Sequence, residues 1–342
     1  MERFWPMEKM IDLYGRQISY FRISLTDRCN FRCIYCSPVS KKFHFIAHEQ
    51  ILRYEEILEI VQVAAEMGMT NIRVTGGEPL VRKGVVDFIR QLKKIKELED
   101  ISMTTNGYYL SEMAHSLKSA GLDRVNISLD SLDKEKFKNI TGFDGLSKVL
   151  AGIDAALEEE LTPVKINVVL LKNINEDEVE NFIKLAIKRP LSIRFIELMP
   201  TNHQLTEFNK EHFISARTMQ QEMKEKLPYL KTTLMEKGWG PATYYQLPDA
   251  QGRFGFITAV SQHFCARCNR IRLTAEGNLR PCLFSARELE LKKKLREIPQ
   301  NKPELRKKLI KQYLMAAIKA KPLGHQLGEK NISEFDMSQI GG

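Results

Sequence analysis

The sequence lacks the long apolar runs that membrane insertion requires: none approaches the ~18 residues of a transmembrane helix. The amino-terminal stretch MERFWPMEKMIDLYGR has charges and a proline where a secretory signal peptide needs an uninterrupted apolar region. Internal repeats and low-complexity linkers are also missing. We therefore expect a cytoplasmic protein with no membrane partner.

Extremes of composition are absent too. Hydrophobic residues make up 43% and charged residues 28% of the 342 positions, which is typical of a soluble globular protein. The length suggests two domains, although α/β barrels often exceed ~200 residues as one unit. The formal net charge of +9 favours an anionic partner. Many of the cations lie between residues 292 and 321 at helical spacing, which indicates a solvated helix face, with nucleic-acid binding as the alternative.

Cysteine is scarce, with six residues, and no group of four occurs. The stretch DRCNFRCIYCSP places Cys29, Cys33 and Cys36 in one short loop, whereas structural zinc and closed iron–sulfur sites normally use four ligands. Three thiolates can hold three corners of a [4Fe–4S] cluster and leave the fourth iron open to a small molecule. A zinc site completed by His44 or His48 is the alternative.

The second cysteine group also has three members, Cys265, Cys268 and Cys282. A zinc ribbon would need a second C-x-x-C pair, and the sequence has none. Zinc completed by His263 or by an outside group remains an alternative. Because two incomplete triads use every cysteine of a chain expected in a reducing compartment, we favour two [4Fe–4S] clusters.

Apolar, β-branched runs alternate with helical patterns up to about residue 200, which predicts parallel strands joined by helices. In Tyr54–Gly68 the apolar residues share one helical face, and Gly68 is predicted to end that helix. The predicted strands are Ile18–Thr26, Asn71–Thr75, Ile101–Thr105, Arg124–Leu129, Val164–Leu171 and Ser192–Leu198.

Nearly every predicted strand runs into a polar or glycine-rich cluster, such as the first cysteine loop or GGEP at Gly76–Pro79. Clusters at the carboxyl ends of strands converge on one mouth in a barrel. We therefore predict a partial (β/α)6 TIM-type barrel over residues 1–200 rather than an open doubly wound sheet. Residues 201–342 are predicted to form a smaller, partly β-rich region that carries the second cysteine group.

Arg22, Arg73 and Lys165 fall on predicted strands. Arg270 and Arg272 follow Cys268 in CNRIRL, at a spacing that would put both on one face of an extended segment. Each alone is an ordinary surface cation. If the strands share a mouth, together they form a pocket suited to a polyphosphate, because guanidinium groups bind phosphate oxygens in pairs. GGEP is either a strand-ending turn or a place where the backbone approaches a ligand closely.

The motif DRCNFRCIYC followed by TGGEPL resembles the radical S-adenosylmethionine (SAM) superfamily. CNRIRL and the terminal MSQIGG narrow the resemblance to the GTP 3′,8-cyclase family, nearly end to end. It implies two [4Fe–4S] clusters, SAM as cofactor and GTP as substrate. The implied reaction forms 3′,8-cyclo-7,8-dihydro-GTP, the first intermediate toward molybdenum cofactor. A 5′-deoxyadenosyl radical abstracts the ribose 3′ hydrogen, and the second cluster binds guanine at its open iron.

The resemblance also assigns roles to residues of this chain. The expected SAM contacts are Tyr35, Gly77, Ser128 and Met199. The expected GTP contacts are Arg22, Arg73, Thr104, Lys165, Arg270, Ile271 and Arg272, with Arg194 as a weaker candidate. Arg22, Gly341 and Gly342 are expected in catalysis, although the sequence alone favours a frayed glycine tail.

Two residues depart from the family pattern. Ser37 stands where relatives commonly have methionine, and Asn71 stands where some carry lysine. The first should alter only packing near the cluster, whereas the second could remove a cation from the triphosphate environment.

The resemblance further implies a reducing electron-donor protein, a homodimer, and handover of the product to cyclic pyranopterin monophosphate synthase. It implies no nucleic-acid partner. A radical SAM peptide-modifying enzyme and a basic zinc-binding nucleic-acid module are the alternatives, which metal content and substrate dependence would separate.

Overall fold

The computed structural model describes residues 10–38, 45–200, 205–227, 231–233, 240–285, 287–325 and 340. Six parallel strands dominate its first half: β1 (Tyr20–Ser24), β2 (Asn71–Thr75), β3 (Asp100–Thr105), β4 (Arg124–Ser128), β5 (Lys165–Leu170) and β6 (Ser192–Glu197). The intervening helices are α1 (Tyr54–Glu66), α2 (Val85–Leu92), α3 (Leu110–Ser119), α4 (Lys134–Thr141), α5 (Leu146–Glu158) and α6 (Val179–Lys188).

The six strands lie side by side in chain order, each parallel to the next. In a doubly wound sheet the order would reverse at a switch point. The sequential order is that of a barrel arc, so the predicted α/β fold and its six strand–helix units are confirmed.

The carboxy-terminal half extends both edges of this sheet. Its elements are α7 (Thr206–His212), α8 (Ala216–Lys226), β7 (Lys231–Thr233), β8 (Thr243–Gln246), β9 (Arg253–Ile257), β10 (Arg270–Leu273), β11 (Leu279–Arg280), α9 (Leu291–Arg296) and α10 (Pro303–Lys319). Strand β10 pairs in parallel with β1, and β9 pairs in parallel with β6. The second cysteine group is thereby carried to the edge at β1.

The two faces of the strands differ in chemistry because side chains alternate along a strand. On β1, Phe21 and Ile23 belong to the apolar core shared with the helices, whereas Tyr20 and Arg22 line a cavity. The other central strands repeat this alternation. Apolar runs were expected along the strands, but the inner face is mostly polar, with exceptions such as Val169 and Ile196, and the helix-covered face is apolar.

Glycine ends α1 as predicted. Gly68 has φ +105°, and the backbone N–H groups of Gly68 and Met69 donate to the Ala65 and Ala64 carbonyls. This left-handed turn satisfies the last helical carbonyls and directs the chain into β2.

The basic segment after residue 291 packs against α1. Arg306 forms a two-point ion pair with Glu59, and Arg296 forms one with Glu56. Part of the positive charge is therefore used in ion pairs that join α9 and α10 to α1. Among the described residues, no helix combines the length and apolar character that crossing a bilayer requires.

Candidate active site

The first triad, Cys29, Cys33 and Cys36, lines a cavity at the carboxyl ends of the parallel strands, and none of the three forms a disulfide bond among the described residues. We call it the first cavity. Five residues assigned to ligands in the sequence line the same cavity: Tyr35, Gly77, Thr104, Ser128 and Met199. These five residues come from five separate loops and strands.

The two glycines of GGEP hold the triad loop against the sheet. A Cβ on Gly77 would lie 2.4 Å from the Arg28 carbonyl oxygen, and one on Gly76 would lie 2.6 Å from that of Thr26. The Gly77 N–H donates to the Thr26 carbonyl at 2.6 Å. The close approach that requires glycine here is therefore to the chain's own cysteine loop.

Glu78, missed in the sequence, anchors the neighbouring turn. It is fully buried and accepts hydrogen bonds from the Leu80 N–H at 3.0 Å, the Thr105 hydroxyl at 2.7 Å and the Asn106 N–H at 2.6 Å. Burial raises the pKa of Glu78 to about 7. The Asn106 side chain in turn donates to Cys29 Sγ at 3.8 Å. This network fixes one wall of the first cavity.

Tyr35 is anchored by Asp130, another residue that sequence reasoning missed. The Tyr35 hydroxyl donates to Asp130 Oδ2 at 2.6 Å, and the Val169 N–H donates to Oδ1 at 2.8 Å. Burial raises the pKa of Asp130 to about 6. The hydrogen bond links the triad loop to the ends of β4 and β5.

The second triad, Cys265, Cys268 and Cys282, lines a different cavity. Cys268 lies just before β10 and Cys282 just after β11, so the hairpin of these strands presents both. The same cavity contains Arg22, Arg73, Lys165, Arg194, Arg270 and Arg272, and we call it the cation cavity. The five predicted cations and the weaker candidate Arg194 therefore share one cavity.

Strand register aligns the central arginines. Arg22 lies opposite Arg272 on one neighbouring strand and opposite Arg73 on the other. Arg280 and Arg124 continue this arginine row outward, and each forms a 2.6 Å ion pair, with Glu288 and Asp100 respectively. The row's outer ends are therefore neutralised by carboxylates, while its three central members line the cation cavity.

The charges in the cation cavity repel one another. Burial, followed by repulsion from Arg272 and Arg73, lowers the pKa of Arg22 well below its usual range. Burial and then repulsion from Arg194 lower the pKa of Lys165 to about 6. Clustered buried cations disfavour their own charged forms, and a polyanion would relieve that cost. The site is electrostatically prepared for a ligand with several negative charges.

The two cavities adjoin. Asn167, Ile196 and Met199 line both of them. The first cavity lies at the carboxyl ends of the strands, but Lys165 begins β5 and Arg22 lies mid-strand, so the cation cavity is deeper in the sheet. The expectation that all functional groups meet at one carboxyl-end mouth is therefore corrected to two connected levels.

Two family models match the chain, "Radical SAM superfamily" over residues 23–186 and "Molybdenum Cofactor Synthesis C" over residues 191–327. A relative from Petrotoga mobilis named GTP 3′,8-cyclase is 46% identical over 97% of this chain and 100% of the relative. Another of the same name, from Thermodesulfovibrio yellowstonii, is 46% identical over 97% of this chain and 100% of its own length. The chain belongs to the GTP 3′,8-cyclase family.

Solved structures agree with the fold of this GTP 3′,8-cyclase family member. Streptococcus suis SuiB matches with a TM-score of 0.55 at 13% identity, over 79% of this chain and 61% of SuiB. SuiB bound to S-adenosylmethionine matches with a TM-score of 0.54 at 12% identity, over 78% of this chain and 60% of that one. At these identities the match concerns the fold alone.

Some predicted contacts of this family member are not in the cation cavity. Thr104 lines only the first cavity, and its buried hydroxyl has no hydrogen-bond partner among the described residues. The Ile271 side chain lies in the apolar core, between Arg270 and Arg272 on β10. Gly341 and Gly342 lie outside the described residues.

The two departures from the family pattern have different surroundings. Ser37 lines the first cavity, as expected for a residue beside the third cysteine. Asn71 lines a separate surface depression together with Lys93 and Asp123, so its side chain is not part of the cation cavity. The expected loss of a triphosphate cation at position 71 therefore does not follow from this structure.

The chemistry of the thiols suits an iron–sulfur cluster. In the part of the chain that the structure describes, no three His, Cys, Asp or Glu side chains are arranged to hold a single metal ion. His48 lines a cavity apart from the first triad, whereas His263 does line the cation cavity; His44 is outside the described residues. Three soft thiolate donors beside a cavity suit an iron–sulfur cluster with one open iron.

Proposed function

We propose that the first cavity holds SAM beside a [4Fe–4S] cluster on the first triad, and that the cation cavity holds GTP beside a second cluster on the second triad. The chain is then a radical SAM lyase that converts GTP to (8S)-3′,8-cyclo-7,8-dihydroguanosine 5′-triphosphate, the first step of molybdenum cofactor biosynthesis. The observation that carries this function is the adjacency of two cavities, each lined by one cysteine triad.

The cofactors supply the radical chemistry. When bound, the reduced first cluster and SAM together provide the 5′-deoxyadenosyl radical that removes the 3′ hydrogen of the GTP ribose. The chain binds and orients SAM and GTP and shields the radical from side reactions. Tyr35, Gly77, Ser128 and Met199 are assigned to SAM, and all four line the first cavity.

The cation cavity orients GTP. We assign the triphosphate to Arg22, Arg73, Lys165, Arg270 and Arg272, because only a polyanion offsets the repulsion among them. Holding the triphosphate at several points leaves the ribose few positions relative to the first cavity, so one hydrogen is selected. The second triad would keep its cluster beside guanine, with the open iron as the ligand site.

Further contacts are proposed from the family resemblance. Thr104 lines the first cavity, which adjoins the cation cavity, and its buried hydroxyl can donate to a ligand there. Ile271 can contribute only through its backbone, because its side chain lies in the core. Arg22, Gly341 and Gly342 are proposed to act in catalysis.

The cellular setting is proposed as well. We assign a radical SAM domain to residues 1–200 and an auxiliary-cluster region to residues 201–342. The family models, which meet between residues 186 and 191, support a division close to that position. The chain would work in the cytoplasm as a homodimer, take electrons from a reducing donor protein and pass its product to cyclic pyranopterin monophosphate synthase.

One anaerobic assay tests the function. The cluster-loaded protein is incubated with SAM, dithionite and GTP, and 5′-deoxyadenosine and the cyclised nucleotide are measured. We expect 5′-deoxyadenosine only when GTP is present, and about eight irons per chain from two cuboidal clusters. SAM cleavage that ignores GTP but responds to a peptide would favour the peptide-modifying alternative. Stoichiometric zinc without iron would favour the nucleic-acid module.

A further inference from the structure

Lys321 lies buried beside the second triad, just beyond α10, with 3% of its surface exposed. Its Nζ donates to Cys268 Sγ at 3.3 Å, to the Arg270 carbonyl at 2.7 Å and to the Pro281 carbonyl at 3.1 Å. An ammonium group has three N–H donors. All three donors of Lys321 are therefore directed at the backbone and sulfur of the second triad's own loops.

The identity of these acceptors indicates where the balancing charge lies. Burying a cation is costly unless an anion accompanies it. Two of the acceptors are neutral carbonyls, and the third is the Cys268 sulfur, which is a thiolate whenever it binds iron. The buried ammonium is thus best balanced when the second triad carries its cluster.

The same three bonds tie together two separate loops. Arg270 follows Cys268 by two residues, and Pro281 directly precedes Cys282. One ammonium group therefore sets the spacing between two of the three cysteines. Through Lys321, the start of β10 is joined to the residue that follows β11, and Cys265 is not involved.

The residues after Lys321 reinforce the arrangement. We call Lys321–His325 the carboxy-terminal strap. Arg16 donates to the Cys265 carbonyl at 2.6 Å and to the Pro322 carbonyl at 2.7 Å, and so fixes the strap to the same loop. The five-residue strap thus contacts the Cys268 sulfur directly and is joined through Arg16 to the Cys265 loop.

We propose that Lys321 is a positioning residue of the second [4Fe–4S] cluster: it fixes the Cys268 and Cys282 loops and raises the cluster's reduction potential. The inference rests on the proposed assignment of that cluster to the second triad. Reduction adds one electron to the site, and a cation hydrogen-bonded to a ligand sulfur stabilises the added charge. Nearby charge and hydrogen bonds to sulfur are established determinants of cluster potentials.

The test isolates the second cluster in the full-length chain. Cys29→Ala, Cys33→Ala and Cys36→Ala are combined to remove the first cluster, and the parent is reconstituted anaerobically. Lys321→Met, Lys321→Gln and Lys321→Arg are introduced into it, with Lys319→Met as control because Lys319 is an exposed lysine of α10. Iron per chain is counted, and the cluster is titrated with dithionite, an electron donor, while its paramagnetic reduced form is followed by electron paramagnetic resonance.

We expect four irons in the parent and, at a fixed potential, an at least tenfold lower ratio of reduced to oxidised cluster in Lys321→Met. For a one-electron couple that is a downward shift of about 59 mV. Lys321→Gln should shift in the same direction, Lys321→Arg should shift less because it keeps the charge, and Lys319→Met should match the parent.

The outcomes distinguish a failure of the inference about Lys321 from a failure of the proposed second cluster. Full iron with an unchanged potential in Lys321→Met or Lys321→Gln overturns the role of Lys321 and leaves the second cluster standing. Loss of iron from Lys321→Met, but not from Lys321→Arg or Lys319→Met, supports the positioning role directly. A parent without iron refutes the proposed second cluster, and the inference about Lys321 falls with it.

Discussion

Raising the pH should weaken GTP binding through Lys165. This side chain is 3% exposed at the start of β5. Burial is the main cause that lowers its pKa to about 6, and repulsion from Arg194, Arg124 and Arg73 adds to it, while Asp100 opposes the shift. In the ligand-free protein the Lys165 amine is therefore mostly neutral at pH 7.

The direction of this pH dependence follows from the negative charge of the ligand. A bound triphosphate favours the ammonium form and raises the pKa of Lys165, so GTP binding should take up a proton at any pH between the free and bound pKa values. Across that window the affinity falls tenfold per pH unit. From pH 7 to 9 the loss is up to ~100-fold, or ~2.7 kcal/mol. The second ionisation of a phosphate monoester, near pH 6, lies below the range from pH 7 to 9.

Anaerobic titration calorimetry on the cluster-loaded protein measures both the affinity for GTP and the number of protons taken up on binding. GTP is titrated at pH 7, 8 and 9 in two buffers of different ionisation enthalpy, which gives the number of protons taken up. We expect close to one proton per GTP in the wild type and in Lys184→Met, an exposed α6 control, and none in Lys165→Met. An affinity that is constant with pH, or equal proton uptake in Lys165→Met, would refute the reasoning.

Three further substitutions test other parts of the site. Arg270→Ala should weaken GTP binding by about 1.5–3 kcal/mol in calorimetry, the value of a charged hydrogen bond; unchanged affinity would remove Arg270 from the site. Gly77→Ala places a Cβ 2.4 Å from the Arg28 carbonyl oxygen and should lower iron binding by the adjacent first triad, which iron analysis measures; normal iron content would contradict the packing argument. Tyr35→Phe removes the 2.6 Å hydrogen bond to buried Asp130 and should cost about 1–3 kcal/mol in urea unfolding, whereas equal midpoints would show that the bond contributes little.

The central strands could be predicted because their local pattern and their tertiary environment agree. Asn71–Thr75 was predicted with the bounds that the structure has, and the other five predicted strands differ at one or both ends. Strands β10 and β11 are four and two residues long; β10 joins the sheet by pairing with β1, far away in the sequence, and β11 joins it through β10. Such short strands depend on pairing that a local pattern does not encode.

The structure brings most of the predicted site residues together, but the prediction lacked the two levels of the site and its supporting residues. Cysteine spacing and the basic residues indicated which side chains gather in each cavity. The separation into two levels depends on strand register, which is a tertiary property. Glu78 lies within GGEP, but its role was missed because it depends on Thr105 and Asn106, which are distant in sequence. Asp130 and Lys321 were missed because they contact Tyr35 and Cys268 far away in the chain.

The pairing of β10 with β1 has a consequence for biosynthesis. Asn269, at the start of this pairing, hydrogen-bonds Ser19 across 250 residues of chain. At typical elongation rates, roughly 10–50 s separate the emergence of these two segments from the ribosome. A nascent chain can therefore present its first three thiols well before Arg272 joins the arginine row. Products of translation interrupted before this pairing would lack Arg270 and Arg272, two of the five cations assigned to the triphosphate.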